Sequence, residues 1–157
     1  MEYKKLKEVN REEVNKFIKK NWYSTDMFVG GDIIDMTTID GIVVYEEGKI
    51  VALETYRIKD KECEIISLDS LKEGQGIGTE LINRVIQIAK DNLCKRVKVI
   101  TTNDNIHAIE FYQKRGFDMF KLYHNAVNRA RQMKPSIPLL GDNNIFINHE
   151  IEFQFLI

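Results

Sequence analysis

The chain has 157 residues, enough for one domain with a substantial buried core. Its 23 basic and 24 acidic residues leave a net charge of −1, so no field favours nucleic acid or an anionic membrane surface. No run approaches membrane-spanning length, and the opening Met-Glu-Tyr-Lys-Lys-Leu lacks the apolar stretch of a signal peptide; a soluble, cytoplasmic protein is expected.

Tyr3 to Val9 reads as a short first strand. Asn10 then caps a helix running to Asn21, with Val14, Phe17 and Ile18 on one face. Trp22 to Asp40 has weak periodicity around Gly30-Gly31 and reads as loop with a short helical turn. Gly41–Tyr45, Ile50–Ile58 and Cys63–Leu68 are apolar, β-branched runs separated by the polar turns Glu46–Lys49 and Lys59–Glu62, hence antiparallel neighbours. Leu81, Ile82, Val85, Ile86, Ala89 and Leu93 form the clearest helical stripe in the chain. Val97–Thr101 is a strand, and Ile106–Arg115 a helix ending at Gly116, an apt left-handed C-cap. Met119–Tyr123 is a further strand and Ala126–Met133 looks helical before Pro135 and Pro138 break the pattern. After a loop at Gly141–Asn144, a final strand lies near Ile151–Leu156. Antiparallel strands followed by βα units suggest an α+β domain with a mixed sheet. Cys63 and Cys94 lack metal-ligand spacing and sit in apolar contexts, as buried free thiols do in a reducing compartment.

Between the third central strand and the long helix stands Glu73-Gly74-Gln75-Gly76-Ile77-Gly78. Glycines at every second position leave the backbone bare where the helix begins, and the first N–H groups of a helix have no internal partner. With the positive end of the helix dipole there, an anion can approach closely. A purely structural turn is the competing reading. Gly78 is followed by Thr79 and Glu80, so the Gly-Lys-Ser/Thr of a P-loop is absent, and Thr79 stands where a dinucleotide fingerprint needs glycine.

Gly74-Gln75-Gly76-Ile77-Gly78 resembles the coenzyme A pyrophosphate loop of the GNAT N-acetyltransferase superfamily. Asn105-Ile106-His107-Ala108-Ile109-Glu110-Phe111-Tyr112-Gln113-Lys114-Arg115-Gly116-Phe117 resembles its second signature, Asn-x-x-Ala-x-x-x-Tyr-x-x-x-Gly-Phe, one helix and one strand later. Residues 1–124 follow the family's element order, leaving 125–157 as a C-terminal helix–loop–strand extension of one domain, similar to small bacterial members. The implied fold is a mixed, mostly antiparallel, splayed sheet flanked by helices. One departure is Glu73, where the family usually has Gln or Arg; its carboxylate is expected to point to solvent.

The resemblance implies acetyl-CoA as co-substrate without a metal, with direct transfer to a primary amine of a small molecule or protein in a ternary complex. It places pantetheine along Leu68–Ser70, with Leu68 and Ser70 as contacts, and the pyrophosphate on Gly74, Gln75, Gly76, Ile77, Gly78 and Thr79. Tyr112 becomes the general acid for the departing sulfur, with a core residue beside Phe111 as the alternative. Asn105 is a cofactor contact, an N-cap, or both; Lys114 and Arg115 are 3′-phosphate ligands or solvated helix-end cations. Glu64 and Asp69 are the candidate bases, on opposite sheet faces unless a bulge intervenes, so only one faces the cleft; Asp69 is preferred for its place beside the loop. Trp22, Tyr23, Met27 and Phe28 sit where relatives carry an acceptor lid, or else form a satellite core. His107, His124 and His149 are scattered and without metal spacing. A non-catalytic acyl-CoA-binding sensor or interaction module is the alternative function, and a homodimer is left open.

Overall fold

The computed structural model describes residues 1–157. In chain order it contains β1 (Glu2–Lys5), α1 (Arg11–Trp22), β2 (Asp26–Val29), β3 (Asp32–Asp35), β4 (Asp40–Glu46), β5 (Lys49–Lys59) and β6 (Glu62–Ser70). There follow α2 (Ile77–Asp91), β7 (Arg96–Thr102), α3 (Ile106–Lys114), β8 (Asp118–Tyr123), α4 (Ala126–Met133) and β9 (Glu150–Leu156).

Seven strands form one mixed sheet in the order β1-β4-β5-β6-β7-β9-β8. The turns joining β4, β5 and β6 are tight because Glu47-Gly48 and Asp60-Lys61 all take positive φ, matching the twist of the flanking strands. The parallel pairing of β6 with β7 stops at Ile65 opposite Val99. On the other side, Thr55 faces Ser67 while Tyr56 faces Ile65, so Ile66 is an extra residue that bulges β6. Beyond that bulge, Ile66 to Ser70 have no partner on the β7 side, and the sheet opens into a cleft. The segment after residue 124 is no appendage to the sheet: β9 lies inside it, paired with both β7 and β8, and its Phe153 is fully buried.

Each face of the sheet carries its own core. Leu81, Ile82, Val85, Ile86 and Ala89 of α2 cover one face, joined there by Tyr112 and Phe117. On the other, Val14 and Ile18 of α1 pack with Leu53, Ile66 and the hairpin residues Val29 and Ile34. Asn10 caps α1 by accepting the Glu12 N–H at 3.0 Å. Cys63 and Cys94 are buried free thiols, and no helix is long and apolar enough to cross a membrane.

Two local expectations are corrected. Trp22 to Asp40 contains the two-stranded sheet β2–β3 rather than a helical turn, reversed at Gly30 (φ 57°) and Gly31 (φ 86°). Its strands are four residues long and flanked by aspartates, which hides their alternation. The first strand ends at Lys5, because the Glu8 carboxylate accepts the Lys5 N–H at 3.2 Å and winds Leu6–Glu8 into a single 3₁₀ turn.

Candidate active site

The glycine loop stands at the mouth of the opened sheet. Gly74 (φ 73°) and Gly76 (φ 75°) are left-handed, and a Cβ on either would meet nothing within 4 Å. Gly76 caps α2 without any side-chain hydrogen bond, and the Glu80 N–H reaches its carbonyl at 3.0 Å. The N–H groups ahead of Glu80 therefore have no partner in the helix, and at Gly74 and Gly76 the backbone borders open space, which suits a diphosphate. Glu73 is exposed, and it also borders the cleft that opens beside the loop.

Gly78 does something different. A Cβ there would lie 3.0 Å from the Phe111 ring, so its absence lets α3 close on the first turn of α2. Arg115 fastens that contact: its guanidinium lies 3.7 Å from the Phe111 ring centroid, and its Nε donates to Thr79 Oγ1 at 2.9 Å. Lys114 pairs with Glu110 at 2.5 Å on the exposed side of α3. Arg115 thus holds the loop helix against α3, while Lys114 joins an exposed surface pair.

A cleft of about 250 Å³ runs from the loop along the unpaired end of β6, lined by Leu68, Asp69, Ser70, Asn105 and Tyr112 among others. Asn105 caps α3 by accepting the Ala108 N–H at 3.1 Å, leaving its amide NH₂ available to the cleft. Tyr112 belongs to the core as well as to the cleft: only 6 % exposed, it packs edge-on against Phe111 and Phe117. Burial, with the nearby Glu54 and Asp69 carboxyls, raises its phenol well above the usual 10.0. It is a neutral hydrogen-bond donor throughout the physiological range.

The bulge at Ile66 supplies the one exception under which the two carboxylates share a face. Glu64 faces Arg57 and Asp69 faces Leu53, positions of even spacing on β5, so both side chains lie on the α1 face. Distance along the strand separates their roles instead. Glu64 is buried and paired with Arg57 at 2.9 Å, away from the loop. Asp69 lines the cleft, and its Oδ2 accepts the Trp22 indole N–H at 2.7 Å. Burial raises the Asp69 carboxyl above its usual value, while the indole hydrogen bond pulls it back.

Trp22 also borders a second cleft, of about 490 Å³, on the far side of that hydrogen bond. Tyr23, Met27 and Phe28 line it from the hairpin side, and Val127, Ala130 and Ile137 from the C-terminal segment. The segment is held there by Arg131, which donates to the carbonyls of Pro138 at 2.7 Å and Ile147 at 2.5 Å. Sequence reading finds the aromatic side of this cleft and misses the other, whose residues meet it only through the insertion of β9. It also misses Glu54, which lies in phase with the buried Ala52 and Tyr56 on β5. The histidines divide: His107 lines the first cleft, whereas His124 and His149 stack with ring centroids 4.8 Å apart.

Comparison with known proteins is consistent with this geometry. Residues 8–117 match the model of the acetyltransferase (GNAT) family. Bacillus subtilis (strain 168) protein YdhI, uncharacterised, is 44% identical over 151 residues, covering 96% of this chain and 94% of its own. The uncharacterised YxbD of the same strain is also 44% identical, over 145 residues covering 92% of this chain and 91% of its own. Among solved structures, an IAA acetyltransferase from Bacillus cereus superposes with a TM-score of 0.74 at 16% identity, covering 99% of both chains. A GNAT family acetyltransferase from Elizabethkingia anophelis, crystallised with acetyl-CoA, superposes with a TM-score of 0.68 at 21% identity over 78% of each chain.

Proposed function

This chain belongs to the acetyltransferase (GNAT) family, and on that premise we propose that it moves the acetyl group of acetyl-CoA to a primary amine by direct transfer with both substrates bound. One observation carries the reading: the unpaired end of β6 leads straight into the bare N-terminus of α2, with Asp69 and Tyr112 on the path between them. Acetyl-CoA supplies an activated thioester. The N–H groups of the Gly74–Thr79 backbone hold its pyrophosphate, and the free β6 edge at Leu68 and Ser70 takes the pantetheine amides. Asn105 donates its remaining amide hydrogens to the same arm. Holding both reactants in one orientation removes much of the entropic barrier.

In becoming an amide, the ammonium gives up two protons. Asp69 takes one and passes it to water, which its raised carboxyl favours over an ordinary aspartate. Tyr112 donates a proton to the departing sulfur and recovers the second from the amine. The amine itself enters through the larger cleft, where Trp22 forms the boundary with Asp69.

The test begins with thermal denaturation. At about 100 times Kd, acetyl-CoA stabilises the native state by about 2.7 kcal/mol, or roughly 5–10 °C in Tm for a chain of this size. ATP and NAD produce much smaller shifts. A screen of amines with thiol release as readout then identifies acceptors. Equal shifts with ATP refute the cofactor assignment; acetyl-CoA binding with no thiol release from any amine favours the sensor.

A further inference from the structure

Three buried glutamates project from the α1 face of the far strands, and two of them have cations. Glu64 is paired with Arg57 at 2.9 Å. Glu152 is paired with Arg96 at 2.9 Å and accepts the Tyr123 hydroxyl at 2.8 Å. Glu150 has no ion pair, although it is only 7 % exposed. Its one hydrogen bond is a long 3.4 Å contact from the Gly30 N–H to Oε2. Carboxylates so deeply buried are rare without a positive partner. Glu150 lines the 490 Å³ cleft, whose other walls are largely aromatic and aliphatic.

We propose that Glu150 anchors the positive charge of the acceptor, and that the acceptor is an amine carrying an aromatic or branched hydrocarbon body seated among Phe28, Val127 and Ile137. The assignment of the cleft to an acceptor rests on the acetyltransferase reading above. The fixed charges around Glu150 leave room for such a cation. Glu64 of β6, on the same sheet face, repels its negative charge, and Arg129 of α4 attracts it without forming an ion pair. At the rim, Lys134 donates to the Asp26 carbonyl at 3.2 Å. With this balance, burial holds the Glu150 carboxyl above its usual value, and an arriving ammonium offsets that burial. The Trp22 indole, facing the same space, adds a surface that attracts cations. A strongly hydrophilic amine leaves the apolar walls unfilled, and a neutral molecule leaves Glu150 unpaired; both bind less well.

Calorimetry on the whole chain with coenzyme A present allows binding without turnover, because no acetyl group is available. Phenethylamine is expected to bind at least about tenfold more tightly than 2-phenylethanol, which lacks the charge, and than methylamine, which lacks the body. Glu150→Gln loses about tenfold or more in phenethylamine affinity and keeps its affinity for coenzyme A. Glu150→Asp, which retains the charge on a shorter stem, recovers part of the loss. Phe28→Ala weakens phenethylamine and leaves methylamine unchanged. Equal binding of 2-phenylethanol and phenethylamine overturns the proposal, as does unchanged affinity in Glu150→Gln. Phenethylamine held through Glu150 by a chain that does not bind coenzyme A would sink the acetyltransferase reading and leave the amine site standing.

Discussion

Glu54→Met tests how this core tolerates a carboxyl it does not satisfy. Glu54 lies between Ile42 and Leu68 on the α2 face, fully buried, with neither carboxylate oxygen hydrogen-bonded. Burial raises its pKa well above 4.5, which favours the neutral acid in the folded protein. A polar group buried without a partner costs about 1–3 kcal/mol by the measure of protein substitutions. Methionine fills similar space and has no such group. Stability is expected to rise by about 1–3 kcal/mol, or very roughly 2–12 °C in Tm for a chain of this length. The gain depends on pH with a definite sign. Because the folded pKa is the higher one, the proton-linked stability of the wild type is fully present below about 4.5 and is lost as pH rises toward the folded value. One linked proton changes stability by at most about 1.4 kcal/mol per pH unit. Glu54→Gln separates the two effects, since it keeps the unpaired polar group and removes the titration. Urea and thermal unfolding of all three proteins at about pH 5 and about pH 8 make the measurement. Destabilisation by Glu54→Met at both pH values would refute the reasoning, as would a wild-type-to-Gln difference that does not grow with pH.

Gly76→Ala forces a Cβ into a left-handed residue (φ 75°), which lowers stability by about 1–2 kcal/mol and weakens coenzyme A binding; unchanged affinity by calorimetry would move the pyrophosphate elsewhere. Tyr112→Phe removes only the hydroxyl, so kcat should fall by about tenfold to a hundredfold while acetyl-CoA affinity stays; full kcat across the pH range would end the general-acid role. Asp69→Asn should abolish the acidic limb of kcat/KM, which in the wild type rises with pH as the raised carboxyl ionises above 3.8. Trp22→Phe deletes the hydrogen bond that holds Asp69 down, so that limb should move to higher pH; a limb that stays in place, or moves lower, argues against Asp69 as the base.

What the amino-acid sequence determines by itself are the features governed by neighbours in the chain. The stripe from Leu81 to Ala89 has helical period, Asn10 and Asn105 cap the helices that follow them, and the glycine loop leaves the next helix bare. Polar turns between β4, β5 and β6 make their pairing legible for the same reason. These choices rest on local dihedral preferences and short-range hydrogen bonds, which a stretch of a few residues expresses in full. Tertiary structure alone decides the rest. The extra residue at Ile66 exists only because β5 sets the register of β6, and it brings Glu64 and Asp69 to one face. Glu54 and Glu150 become unpaired buried acids only when other strands and helices cover them, since burial is a property of what packs around a side chain. The insertion of β9 between β7 and β8 likewise satisfies two strand edges at once with a segment about fifty residues from β7. That pairing builds the far wall of the larger cleft, and no periodicity within either segment announces it.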